Sequence, residues 1–383
     1  MVRFLSGNEP ERPICKICGK NESLISGHFG ICYDCILKKS KRALKITNEI
    51  HLAARRQYRL PEVVPHTPNG LKCGLCINDC KIGESETGYC GLMTNKDHKL
   101  VRMAGSSELG LLDWYYDPNP TNCVAWICPA YGCGYPKYAY CDGPEHKYYN
   151  LAVFYGACGF DCLFCQNAHY REMPSRLSPL ISAKDLVSKV HKRVSCICYF
   201  GGDPGPQMLH ALATSEYAVQ LAEKETRILR ICWETNGSSN WSLLEKAVQY
   251  ALRSGGNIKI DLKTFHDPLN IALCGVSNRQ TLANFKRISQ FIEERPEVPL
   301  LFASTLLIPG YIDESEVQCI AKFIADINPN IPYAILGFYP HFVLNDLPTT
   351  SKAHAERCLK VAEAEGLNKV KIGNMHLLSN IKY

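Results

Sequence analysis

From Asn150 to Tyr383, short apolar runs rich in β-branched and aromatic residues alternate with stretches of helical character. The runs are Leu151–Tyr155, Cys196–Phe200, Ile228–Trp233, Ile258–Leu262, Leu300–Leu307 and Ala334–Phe338, with a shorter seventh at Val370–Ile372. Between them, helices are predicted near Ala183–Arg193, Leu209–Lys224, Leu243–Arg253, Leu282–Glu294, Glu314–Asp326 and Ala353–Glu365. Strands that alternate with helices predict a parallel sheet with right-handed crossovers. Six or seven such units in about 230 residues fit an α/β partial barrel, (β/α)6 in a TIM-type arrangement, rather than a closed eight-stranded one.

The first 149 residues follow another pattern. Lys38 to Arg59 contains no Gly or Pro and reads as a helix. It carries Lys38, Lys39, Lys41, Arg42, Lys45, Arg55, Arg56 and Arg59 against one acid, Glu49. This is either a contact for nucleic acid or an acidic protein, or a solvated helix face joining two lobes. Pro61, Pro65 and Pro68 mark a boundary, and Leu71 to Tyr149 is rich in turns and cysteines. Four parts are therefore expected: a zinc-ribbon-like knuckle (1–40), a basic helical linker (41–70), a cysteine-rich domain (71–149) and the partial barrel (150–383).

Composition adds two constraints. At 46% hydrophobic and 21% charged residues the chain can bury a full core, and a net charge of +6 is mild. No stretch approaches about 18 consecutive apolar residues, and the first thirteen residues lack a signal peptide's apolar segment. The reading is a cytoplasmic protein with no membrane partner. The 21 cysteines change the picture more, because fifteen fall in four clusters before Gln166. In a reducing compartment such clusters read as metal or iron–sulfur ligands, whereas scattered ones such as Cys232, Cys274 and Cys358 read as small core residues.

Cys15-Lys-Ile-Cys18, thirteen residues, then Cys32-Tyr-Asp-Cys35 can close one tetrahedral S4 site, each knuckle offering two thiolates. Structural zinc is expected; an iron site of the same geometry or a metal-free pair of turns is the alternative. So short a segment needs the metal's binding energy to fold. Cys73, Cys76, Cys80 and Cys90 form a second set, for a second iron–sulfur cluster or another metal. Cys123, Cys128, Cys133 and Cys141 could form a third, although their spacing matches no template. Cys158, Cys162 and Cys165 share one short loop. Three thiolates there can hold three corners of a cubane and leave one iron open to a chelating substrate, with Gly156 and Gly159 letting the backbone turn tightly.

The spacing Cys158-x-x-x-Cys162-x-Phe164-Cys165 resembles the signature of the radical S-adenosylmethionine (SAM) superfamily, and from Leu151 onward the chain is most similar to the activating enzymes of glycyl-radical enzymes. The resemblance implies a [4Fe–4S] cluster whose free iron binds the SAM amino and carboxylate groups. One electron then splits SAM into methionine and a 5′-deoxyadenosyl radical. Further resemblances follow in strand order. Gly201-Gly202-Asp203-Pro204 resembles the family's Gly-Gly-Glu-Pro loop, which receives the SAM ammonium. Glu234-Thr235-Asn236-Gly237 resembles Asp-Thr-Asn-Gly, near the SAM ribose or methionine end. Asp261-Leu-Lys263, Cys274-Gly-Val-Ser277, Ile308-Pro-Gly310 and Tyr339-Pro-His341 come next, and His341 corresponds to an activase histidine near SAM. The implied SAM pocket comprises Phe164, Gly201, Gly202, Asp203, Glu234, Asn236, Asp261, Lys263 and His341. Singly, each motif reads equally as a turn, a strand end or a loop; together they recur in the family's order. The Cys73–Cys90 set resembles a preamble of some microbial activase-like proteins, where an electron relay and a structural metal site are the two readings.

The resemblance implies a protein or peptide substrate, hydrogen abstraction at a Cα, and an electron donor such as ferredoxin or flavodoxin. The reaction ends either in a glycyl radical or in methyl transfer from cobalamin, as in the glutamine C-methyltransferase of methyl-coenzyme M reductase. No Asp-x-His-x-x-Gly cobalamin motif occurs in the chain. RNA modification, with the knuckles and basic helix as the grip, and a non-enzymatic iron–sulfur carrier are the other two classes.

Overall fold

Seven parallel strands wind in sequence order through one nine-stranded sheet in the computed structural model, which describes residues 13–120 and 125–383. They are β1 (Tyr149–Tyr155), β2 (Val194–Gly201), β3 (Arg230–Thr235), β4 (Ile258–Asp261), β5 (Leu301–Leu307), β6 (Tyr333–Gly337) and β7 (Val370–Gly373). Each crossover returns the chain one strand further round, and the sheet ends at β7 without pairing back to β1. The α/β partial barrel expected from the alternation is the fold observed, and the seventh short run is its last strand. Strands covered on both faces bury unbroken apolar sequence, as Leu151–Val153 and Val194–Tyr199 do. That is why the runs were readable.

The sheet begins before Asn150. Leu109–Pro118 lies antiparallel to β1 from Leu112 opposite Tyr155 to Pro118 opposite Tyr149, and Leu180–Ser182 adds a further antiparallel strand beyond it. The helix expected over 183–193 stops at Val187; its N-terminus is capped by Ser182 Oγ, which accepts from the Asp185 amide. The helix expected over 282–294 spans Arg279–Ser289, with a 3-10 turn at Ile292–Glu294. Two helices were missed, the single turn Met173–Arg176 and Asp267–Cys274; the latter is too short for a periodicity but is marked by Pro268 in its first turn and Gly275 at φ +73° past its end.

The basic stretch forms Tyr33–Lys38 and Ser40–Gln57. Its reading as an exposed basic face needs correction at Arg55 alone: Ala43, Thr47, His51, Ala54 and Arg55 form a buried stripe packed towards Asp267–Cys274, while the other seven basic residues are exposed. Arg55, expected in a solvated or nucleic-acid-facing surface, is 1% exposed. Arg56, by contrast, is exposed and paired with Glu62 at 2.6 Å.

The N-terminal knuckle docks onto loops of the barrel. Ser26 Oγ and the Gly27 amide donate to the Asp346 carboxylate at 2.7 and 2.6 Å, and Tyr311 Oη donates to the Ile31 carbonyl at 3.0 Å. Gly310 permits the approach, because a Cβ there would fall 2.2 Å from the Leu24 carbonyl oxygen. Among the described residues, no helix is long and apolar enough to cross a membrane.

Candidate active site at the strand ends

Cys158, Cys162 and Cys165 stand on the loop after β1 and line a cleft of about 200 Å³. Two protein donors approach Cys158 Sγ: the Phe160 amide at 3.3 Å and Asn236 Nδ2 at 3.8 Å. The cleft also exposes Phe164, Tyr170, Phe200, Gln166 and Asn167. Gly156 is required, since a Cβ there would press to 2.8 Å on the Met173 side chain. Gly159 is not required for space: a Cβ would meet its nearest neighbour, Cys76 Sγ, at an ordinary 3.5 Å.

The next loops are tied to the first. Gly202 donates to the Tyr155 carbonyl and Asp203 to that of Ala157, both at 2.8 Å. A Cβ on Gly202 would fall 2.3 Å from the Ala157 oxygen, and one on Gly201, at φ +104°, would fall 2.5 Å from the Tyr155 nitrogen. Gly202→Ala must part the two loops, an overpacking expected to cost about 1–3 kcal/mol. A denaturant midpoint equal to the parent's would contradict that contact.

Asp203 lines the cleft, but its carboxylate is already occupied. Oδ1 accepts from Thr235 Oγ1 at 2.7 Å and the Asn236 amide at 2.9 Å, and Oδ2 accepts from the Gly205 amide at 2.8 Å. Burial pushes its pKa up to about 6 against these three donors. Its observed work is to lock the loop after β2 to the loop after β3, which orients Asn236.

A chain of alternating charge crosses the cleft. Lys259 Nζ lies 2.8 Å from Glu234 Oε2 and 2.9 Å from Asp261 Oδ1, and Asp261 Oδ2 lies 2.6 Å from Lys263 Nζ. Ser304 Oγ donates to Asp261 at 2.6 Å. Burial opposes the Asp261 charge, yet the two lysines hold its carboxyl far below the usual range. Lys259 and Ser304 were not picked out from the sequence. Lys259 sits inside the apolar run Ile258–Leu262, where the alternating polar positions 259 and 261 were the available signal.

His341 is not brought into the cleft; it is exposed at the start of the turn Phe342–Leu344. The reason is local. Phe342 takes φ +57°, Val343 donates to the Leu163 carbonyl, and the Phe342 ring is turned onto the Arg171 guanidinium at 4.4 Å.

Beneath the loop, Asp161 is fully buried among three cationic or basic side chains. Arg171 Nη2 donates to Oδ1 at 3.0 Å, Arg55 Nη1 lies 3.7 Å from Oδ1, and His51 Nδ1 lies 2.9 Å from Oδ2. Arg55 also donates to the carbonyls of Pro61, at 2.6 Å, and Tyr89, and stacks on the Tyr89 ring at 3.5 Å. The helix Ser40–Gln57 is thereby fastened to the cysteine loop. Arg171 Nη1 is buried with no nitrogen or oxygen partner among the described residues, and its guanidinium faces Cys165, whose thiol burial pushes up and the Arg171 charge pulls back down. An anionic group held by the three thiols would satisfy it, so the residues present fit a thiolate-bound cluster.

The sulfurs of Cys15, Cys18, Cys32 and Cys35 all lie within 4.8 Å of one another, with Cys18 and Cys32 3.8 Å apart. Zn–S bonds of about 2.3 Å in a tetrahedron give S···S edges of about 3.8 Å. Burial works against the Cys15 thiolate, but backbone donors at Cys32, Cys18 and Ile17 bring its pKa down to about 6. Burial, with the charges of Cys90, Cys80 and Cys73 adding to it, pushes Cys76 up, but these four cysteines do not close into a group as tight as the first. Cys128, Cys133 and Cys141 are not gathered into such a group, and Cys123 lies outside the described residues. Cys133 Sγ faces the Glu297 carbonyl, while Cys128 lines a second cavity of about 160 Å³ with Cys196, Cys198 and Cys232.

Residues 152–322 match the radical SAM superfamily. The isethionate sulfite-lyase activating enzyme of Oleidesulfovibrio alaskensis is 30% identical over 143 residues, 36% of this chain and 41% of its own length. The chain thus spans less than half of that relative. An uncharacterised protein of Methanocaldococcus jannaschii is 24% identical over 318 residues, covering 80% of this chain and 82% of that one. A solved domain of a pyruvate-formate lyase-activating enzyme from Bacteroides vulgatus is 21% identical with a TM-score of 0.36, covering 46% of this chain and 98% of that domain.

Proposed function

The chain carries a radical SAM domain over residues 152–322, and we propose that it is an enzyme that cleaves SAM reductively and takes a hydrogen atom from the Cα of a target-protein residue, in the manner of glycyl-radical activation. The observation that carries this reading is the convergence of Cys158, Cys162 and Cys165 on one loop, with the buried Arg171 guanidinium beside Cys165. Cluster and SAM, when bound, supply one-electron cleavage to methionine and a 5′-deoxyadenosyl radical.

The chain's own residues bind and orient. Burial pushes the Cys158 thiol up, and the Phe160 amide, which donates to its sulfur beside Asn236 Nδ2, works against that. Gly201 and Gly202 present bare backbone to the cleft, where an amino group can be received without a side chain intervening. The Glu234–Lys259–Asp261–Lys263 chain offers fixed charges of both signs to a zwitterionic ligand, at no reorganisation cost when it binds. Phe164, Tyr170 and Phe200 wall the cleft with apolar surface that keeps water from a reactive carbon. An acceptor of low-potential electrons needs a donor of the ferredoxin or flavodoxin class. The compact Cys15–Cys35 site is assigned to structural zinc.

Hydrogen abstraction that ends on the target protein needs only the groups named here, whereas methyl transfer requires a corrinoid donor. Corrinoid absorbance in protein purified from a cobalamin-supplied host would move the assignment to methyl transfer. For the central claim, anaerobically reconstituted protein given dithionite and SAM should release 5′-deoxyadenosine. Its Cys158→Ala/Cys162→Ala/Cys165→Ala variant should release none; equal product from both would sink the assignment.

A further inference from the structure

Among the described residues, two groups of His, Cys, Asp or Glu side chains bring three or more ligand atoms within 4.8 Å of one another. One is the Cys15–Cys35 knuckle. The other joins Glu314, His354 and Cys358, which lie far from the cysteine clusters in sequence. Glu314 opens the helix Glu314–Ile327, and His354 and Cys358 stand about one turn apart on the helix Lys352–Ala364. Residues four apart share one helix face, so both side chains meet the start of the neighbouring helix. His354 is 2% exposed and Cys358 has no exposed surface, while Glu314 stands partly exposed at the rim.

The imidazole is held from one side. Tyr383 Oη accepts from the Ser351 amide at 2.7 Å, turns its proton to the Thr349 carbonyl at 3.5 Å and lies 3.3 Å from His354 Nδ1. With the hydroxyl proton committed, Nδ1 carries the ring proton and Nε2 keeps its lone pair. Nε2 is buried with no nitrogen or oxygen partner among the described residues. Leaving a buried polar atom so is costly, and a cation would supply the partner. Metal-binding imidazoles are oriented in this way, by a hydrogen bond from the other ring nitrogen. Burial lowers the His354 pKa, against the Glu314 charge, and so favours the neutral ring that ligates. Arg357 Nε donates to Glu314 Oε1, which leaves Oε2 for a second bond.

We propose that Glu314, His354 and Cys358 form a site for one zinc ion that clips the two helices together. A thiolate, an imidazole and a carboxylate are donors that zinc takes, whereas magnesium and calcium take oxygen. Bonds of about 2.0–2.3 Å to one ion would set these donors about 3.3–3.8 Å apart, inside the 4.8 Å limit within which they already meet. The fourth position falls to water at the Glu314 rim. Binding breaks the Cys358 S–H bond and forms a Zn–S bond; the proton leaves to solvent and no electron moves. The loops that seat the knuckle, with Tyr311 and Asp346, run directly into these two helices. The clip would therefore brace that seat from behind.

Zinc content of full-length reconstituted protein, grown and purified with zinc present, tests this. Cys358→Ser keeps the side chain's size but not the soft ligand, and Glu314→Gln keeps an acceptor for Arg357 but not the charge. Each variant should hold one zinc per chain fewer than the parent, while dithionite-driven release of 5′-deoxyadenosine stays at the parent's rate. X-ray absorption at the zinc edge adds a readout that a merely structural role would not move. Nitrogen and oxygen should contribute to the averaged first shell of the parent, and sulfur alone should remain in Glu314→Gln. Equal zinc in the parent and both variants, or a sulfur-only shell in the parent, overturns the proposal, even if the variants are less stable. If Cys358→Ser does not fold, Glu314→Gln, altered at the partly exposed rim, decides alone.

Discussion

Asp161→Asn is expected to destabilise the protein by about 3–5 kcal/mol, the cost of leaving a buried ion pair without one partner. The carboxylate has no exposed surface and neither does Arg171, while Arg55 is 1% exposed. With the charge removed, two guanidinium groups would face a neutral amide in a region that water does not reach. The amide could accept one of the hydrogen bonds now made and would oppose another with its own donors. Two readouts follow: a lower urea midpoint at unchanged slope, and faster loss of iron from reconstituted protein. A parent-like midpoint would show that the cluster loop does not depend on this anchor.

The same group predicts an acid limit. Burial alone would raise the Asp161 pKa, but the His51 hydrogen bond and the charges of Arg171, His51 and Arg55 hold it at about 2. Its unfolded value is near 3.9. A depressed carboxylate contributes stability above the unfolded value and loses it as pH falls through the folded one. The contribution should be complete above about pH 5 and fade towards pH 2. In Asp161→Asn this part of the acid transition should vanish, and an unchanged profile would exclude the assignment.

Cys35→Ala is expected to have the other large effect, loss of the knuckle's metal and of its fold. Structural zinc in small modules supplies about 10–16 kcal/mol of apparent binding energy, which is folding energy for a segment without a core of its own. Ser26, Gly27 and Ile31 would lose their contacts to Asp346 and Tyr311, leaving the barrel loops that carry those residues uncovered. Metal analysis should fall by one zinc, and limited proteolysis should cut within residues 15–35 while sparing the barrel strands. Retained zinc, or resistance equal to the parent's, would refute the site.

The barrel was legible because strands covered on both faces are largely apolar, and all seven runs became strands. The three-cysteine loop was legible because its ligands are local in sequence. What escaped was what depends on distant partners. A charge in a basic helix looks alike whether it meets water or an acid, and His51 finds Asp161 110 positions away. Arg55 was therefore read as surface. Asp203 was matched to a ligand-binding acid by its place in a motif, whereas its donors come from the following strand's loop. His341 was placed by order alone, and a single residue with positive φ behind it was enough to turn the chain away.

The docking of the knuckle has a consequence for biosynthesis. Ser26 and Asp346 are 320 positions apart, so the knuckle waits for its partner through the synthesis of most of the barrel. At about 5–20 residues per second, translation separates them by tens of seconds. A knuckle that folds on a metal, as proposed for Cys15–Cys35, can form early, on a nascent chain whose sheet is still incomplete. Its seat exists only once the loops after β5 and β6 have been synthesised. Closure of this contact is thus a late event with high contact order.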